Sequence, residues 1–95
     1  MVANVVVTLK LMPDSPERNI NELRQKIGNT LVKFGRIYKE GIEPIAFGLN
    51  AIVFSVITVE KEGGTEPIEK ALREIHGIAD VQVTDVTRVV DVKDI

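Results

Sequence analysis

Cysteine and tryptophan are absent from this 95-residue chain, and one histidine, one tyrosine and three phenylalanines are all the aromatic rings it has. Without cysteine there is neither a disulfide nor a thiolate metal site, which fits a chain kept in a reducing cytoplasm. A surplus of positive charge is missing too. The net charge of −2 argues against a domain built to neutralise nucleic-acid phosphates. No apolar run approaches the ~18 residues of a membrane span. The first residues, Met1-Val2-Ala3-Asn4, lack a basic stretch and a small-residue cleavage site, so they read as the start of a mature chain that stays in the cytoplasm.

The remainder is ordinary globular material, 44% hydrophobic and 27% charged. Its length suits a single domain over residues 1–95. From Val5 to Met12 apolar residues alternate, with Val5, Val7, Leu9 and Leu11 on one side of a strand. Pro13-Asp14-Ser15-Pro16 is expected to stop it. The period then changes. Ile20, Leu23, Ile27, Leu31 and Phe34 mark a helix from Asn19 to Phe34, with Asn19 and Glu22 placed as a capping box and Gly35 as its stop.

Arg36 to Pro44 can extend as a strand, though Gly41 and Glu43 weaken the signal. Leu49 to Glu60 is rich in β-branched residues and apolar on both faces, which predicts a central strand ended by Glu62-Gly63-Gly64. Thr65 is expected to cap a second helix with Pro67 in its first turn and Ile68, Ala71, Leu72 and Ile75 as its stripe. Gly77 ends it, and Ile78 to Val90 forms the last strand, Val81 and Val83 inward. The order is strand, helix, strand, strand, helix, strand. It predicts an α+β, ferredoxin-like βαββαβ sandwich, a four-stranded antiparallel sheet with both helices on one face.

Equipment for bond chemistry is scarce. His76 is expected at the last turn of the second helix, where it complements the carbonyl end. Glu60, Glu62, Glu66 and Glu69 have no metal-loop spacing and read as a solvated face. Gly63-Gly64 lacks the rest of a phosphate-binding fingerprint. Base stacking on the open sheet face needs aromatics on the central strands, and only Phe54 is available.

One segment departs from plain structure. Glu43-Pro44-Ile45-Ala46-Phe47-Gly48-Leu49 joins the second and third strands, where a short polar turn is expected. Either Phe47 tucks under the sheet edge as satellite core, or a stiff proline-started loop holds it outward for a partner; the residues alone leave both readings open.

Pro44-Ile45-Ala46-Phe47-Gly48-Leu49 and the apolar strand after it resemble the Pro-Ile-x-Phe-Gly signature of the elongation factor 1-beta family. Met12-Pro13-Asp14-Ser15-Pro16, Glu62-Gly63-Gly64-Thr65-Glu66-Pro67 and Val81 to Arg88 resemble its archaeal members, so the likeness spans nearly the whole chain. The resemblance implies a guanine-nucleotide exchange factor for the GTPase elongation factor 1-alpha. It would act by binding, as a monomer, with no cofactor, no bond chemistry, and no nucleic-acid or membrane contact of its own. By residue match the partner-contacting set is Pro44, Ile45, Phe47 and Gly48, with Phe47 as the wedge. The family's C-terminal lysine falls on Asp91 in a gapless reading, and Lys93, two residues on, is the candidate for that contact. The alternative from element order alone is a small-molecule-sensing regulatory domain.

Overall fold

Six elements follow one another as β1 (Asn4–Pro13), α1 (Ile20–Leu31), β2 (Arg36–Ala46), β3 (Leu49–Val59), α2 (Glu66–Arg73) and β4 (Ile78–Val89). They come from a computed structural model that describes residues 4–46, 48–59 and 64–89. The strands form one antiparallel sheet in the order β2-β3-β1-β4. This is the ferredoxin-like arrangement that the element order predicts.

The alternation in β1 produces the core directly. Val7, Leu9 and Leu11 are fully buried and stand opposite Val56, Phe54 and Ile52 of β3. Leu23, Ile27 and Leu31 of α1 and Ile68 and Leu72 of α2 close over them, with Val81 of β4 at the side. Burial of each large side chain contributes about 1.5–3 kcal/mol. Both helices therefore lie on one face of the sheet. β3 is central and apolar on both sides because its other face also meets neighbours: Ser55 Oγ lies 3.0 Å from Thr8 Oγ1, and Ile57 stands opposite Val6.

Several local expectations need correction. Helix α1 ends at Leu31, with residues 32–34 in turns, so Phe34 is not helical. Asn19 caps it as expected, its Oδ1 accepting from the Glu22 amide at 3.1 Å, but the Glu22 carboxylate pairs with Lys26 at 3.2 Å instead of closing the box. Gly35 is needed for close approach, not for a helix stop: a β-carbon there would collide with the carbonyl oxygen of Ile57.

Thr65 makes no side-chain capping bond to α2; its hydroxyl donates to Glu69 Oε2 at 3.0 Å. The helix ends at Arg73, so His76 lies in the connection to β4 and does not cap the last turn. In β4 the alternation slips at a bulge. Leu9 stands opposite Val83 and Thr8 opposite Asp85, which leaves Thr84 as the extra residue. Val86 consequently returns to the helix side of the sheet, opposite Val7, where it is left exposed.

Candidate functional site

The β2–β3 hairpin is the feature that sequence reading singled out, and its geometry differs from the expected loop. Glu43, Pro44, Ile45 and Ala46 belong to β2, and Leu49 opens β3. Pro44 stands opposite Asn50 in the ladder. Proline is tolerated on β2 because an edge strand turns every second N–H away from its single neighbour. The connection is thus a two-residue turn between Ala46 and Leu49, with Gly48 at φ 78°. A positive φ at the second central position of a tight turn favours glycine. The stiffness expected of a proline-started loop comes instead from continued strand pairing.

The hairpin runs past the rest of the sheet. β1 pairs with β3 only as far as Leu11 opposite Ile52, and Ala51 beyond it is still fully buried, so Asn50 and Leu49 with the matching part of β2 continue alone. Two residues of strand extend about 7 Å. Pro44, Ile45 and Gly48 are exposed on this projection, and Ile45 keeps 39% of its surface open. Ile45 is thus an apolar residue left facing solvent next to the turn. Phe47 lies outside the described residues.

Beside the hairpin base, two loops are tied together. The Asp14 amide donates to the Gly77 carbonyl at 2.9 Å. Arg18 grips the Asp14 carboxylate with two bonds, 2.7 Å from Nε and 3.0 Å from Nη2, and its Nη2 sits 3.4 Å from His76 Nε2. The hydrogen bonds from Arg18 hold the Asp14 carboxyl below its ordinary value. Sequence reading missed this cluster, since residues 14 and 76 meet only through the fold.

The other candidate lies elsewhere. Lys93 is outside the described residues, but β4 ends at Val89 beside Asn4, which in turn pairs with Val59. The hairpin tip is at the opposite end of β3, ten residues and about 33 Å away. Pro44, Ile45 and Gly48 are brought together; the strand leading to Lys93 leaves from the far end.

That far end holds an apolar hollow of about 220 Å³ lined by Val5, Phe34, Pro67, Ile68 and Val86 among others. Its two threonine hydroxyls are already engaged, Thr58 with the Phe34 carbonyl at 2.8 Å and Thr65 with Glu69. Polar groups that would orient a small ligand are therefore not on offer among the described lining residues. Phe54, the one aromatic on a central strand, is 1% exposed and packs into the core, which removes it as a stacking platform. Among the described residues no helix is long and apolar enough to cross a membrane.

Residues 6–90 match the EF-1 guanine nucleotide exchange domain family. The chain is similar to proteins called elongation factor 1-beta from three archaea. It is 39% identical to that of Methanothermobacter thermautotrophicus over 87 residues, covering 92% of this chain and 98% of that one. Identity is 37% over 89 residues to the Methanosarcina barkeri protein, covering 93% and 100%. To the Saccharolobus islandicus protein it is 42% over 88 residues, covering 92% and 97%. Among solved structures, the ACT domain from the GTP pyrophosphokinase of Chlorobium tepidum superposes with a TM-score of 0.60 at 15% identity, covering 90% of this chain and 99% of that one. At that identity the likeness speaks to the fold.

Proposed function

The chain belongs to the EF-1 guanine nucleotide exchange domain family, and from that premise we propose that it promotes GDP release from, and GTP loading on, elongation factor 1-alpha during translation elongation. The observation that carries this reading is the projecting hairpin, with Pro44, Ile45 and Gly48 exposed around its two-residue turn. The family resemblance gives the wedge role to Phe47, the residue between Ala46 and Gly48 in the sequence.

Exchange of this kind is linkage and makes or breaks no bond. A factor that binds the nucleotide-free GTPase more tightly than the nucleotide-bound form weakens nucleotide binding by the same ratio. A thousandfold weakening needs about 4 kcal/mol of differential binding. Burial of one phenylalanine in the partner supplies about 1.5–3 kcal/mol of that. The rigid strand pairing beneath the turn limits the ordering cost on binding. The action belongs in the cytoplasm, where elongation takes place.

Release of a fluorescent GDP analogue from elongation factor 1-alpha, followed with and without this chain, tests the proposal. Acceleration by the chain, largely lost in Phe47→Ala with the fold retained, is the expected result. A chain that leaves release unchanged overturns the activity; full acceleration by Phe47→Ala overturns the wedge.

A further inference from the structure

The two edges of the sheet are built differently. β4 carries Asp80, Gln82, Thr84, Asp85, Thr87 and Arg88, interrupted by the bulge at Thr84, the usual protection against strand addition. Its one exposed large apolar residue among those described is Val86 at 51%, beyond the bulge, whereas β2 exposes three: Tyr38 at 44%, Ile42 at 47% and Ile45 at 39%. Between the irregularity at Tyr38 and Pro44, β2 has one regular stretch, Lys39 to Glu43, in unbroken register with Ser55 to Ala51 of β3. Gly41 is its midpoint.

We propose that this edge pairs with the same edge of a second copy, antiparallel about a two-fold axis at Gly41. Such a pairing sets Lys39 of each chain opposite Glu43 of the other. Both project from the helix-free face of the sheet, since they pair with Ser55 and Ala51; Glu43 already bonds Lys10 of its own chain at 3.3 Å, so in the pair each Glu43 carboxylate, with two oxygens to offer, is shared between its own Lys10 and the other chain's Lys39. Within its own chain Lys39 makes no ion pair among the described residues; its ammonium lies 5.6 Å from the Tyr38 ring. Between the two ion pairs the Gly41 residues meet, and nothing lies within 4 Å of where a β-carbon at 41 would stand. On the helix side the two Ile42 side chains become diagonal neighbours across the axis, within reach of each other. They lose the water they now face.

Charge complementarity selects a second copy over an unrelated strand, because the same five residues supply both halves. The sequence carried the expectation of a monomer; the β2 edge is the reason to revise it. The inference is independent of the exchange activity, since the hairpin turn lies beyond the paired stretch.

Sedimentation equilibrium of the full chain at low salt, up to about 1 mM, tests it. Expected are a concentration-dependent dimer, at least tenfold weaker association for Lys39→Glu and for Glu43→Lys separately, and recovery of the dimer when these two variants are mixed in equal amounts. Mixing is informative because each variant has one sign of charge on its edge and the two are complementary. The chain has no cysteine, so Gly41→Cys adds a single thiol at the axis. Residues opposite one another in antiparallel strands are about 4.5–5.5 Å apart at Cα, within disulfide range. Oxidation is expected to give a covalent dimer with Gly41→Cys and little with Gln82→Cys on the opposite edge. A monomer at every concentration, a mixture that stays monomeric, or a dimer indifferent to both charge reversals overturns the proposal. A monomeric chain whose Lys39→Glu variant loses GDP release assigns the edge to the GTPase instead, and also overturns it.

Discussion

Gly35 passes so close beneath β3 that the carbonyl oxygen of Ile57 occupies the space a β-carbon at position 35 would need. The contact fixes the entry into β2, because the Thr58 hydroxyl donates to the Phe34 carbonyl at 2.8 Å in the same place. Gly35→Ala must displace backbone, not a yielding side chain. It is expected to cost about 1–3 kcal/mol, lowering the melting temperature by about 4–8 °C per kcal/mol in a domain of this size. Calorimetry checks it, and a variant as stable as the parent refutes the close approach.

Phe54 makes a second stability test. It is fully enclosed between β1 and the helices, opposite Leu9, so Phe54→Ala is expected to cost about 3–5 kcal/mol through lost transfer energy and the cavity left behind. Denaturant unfolding measures this. A cost below about 1 kcal/mol is incompatible with the packing described.

At the hairpin, stability and activity are expected to separate. Ile45 is exposed on an edge strand, so Ile45→Ala should leave stability within about 0.5 kcal/mol of the parent. If the tip docks on the GTPase as proposed, the same variant accelerates GDP release several-fold less than the parent at equal concentration. Unchanged acceleration would remove Ile45 from the contact.

Acid should reveal the loop clamp. Asp14 is held below its ordinary value of 3.8, first by the hydrogen bonds from Arg18. A carboxyl lowered in the folded state stabilises the fold above its unfolded value, near pH 4, and that contribution disappears as pH falls through the lower folded value. Asp14→Asn removes the titrating group. Urea midpoints between about pH 7 and pH 2.5 should fall less steeply over the acid limb for the variant than for the parent. Parallel curves would show that the clamp does not contribute.

The amino-acid order alone determined the elements and their class. Alternation in β1, the helical stripe through Leu23, Ile27 and Leu31, and the two-sided apolarity of β3 are local periodicities, and they dictated which faces are buried. It also marked Pro44 to Gly48 as unusual, because apolar residues where a polar turn is expected need no fold to be noticed. Only the tertiary structure decided that Pro44 and Ile45 continue a strand, since proline's place in a ladder depends on whether that ladder is an edge. It alone joined Asp14, Arg18 and His76, separated by up to 62 positions, through the return of β4 alongside β1. The slip at Thr84 and the close pass at Gly35 were invisible for the same reason. Both are set by where a neighbouring strand lies, and no periodicity within a segment records its neighbour's register.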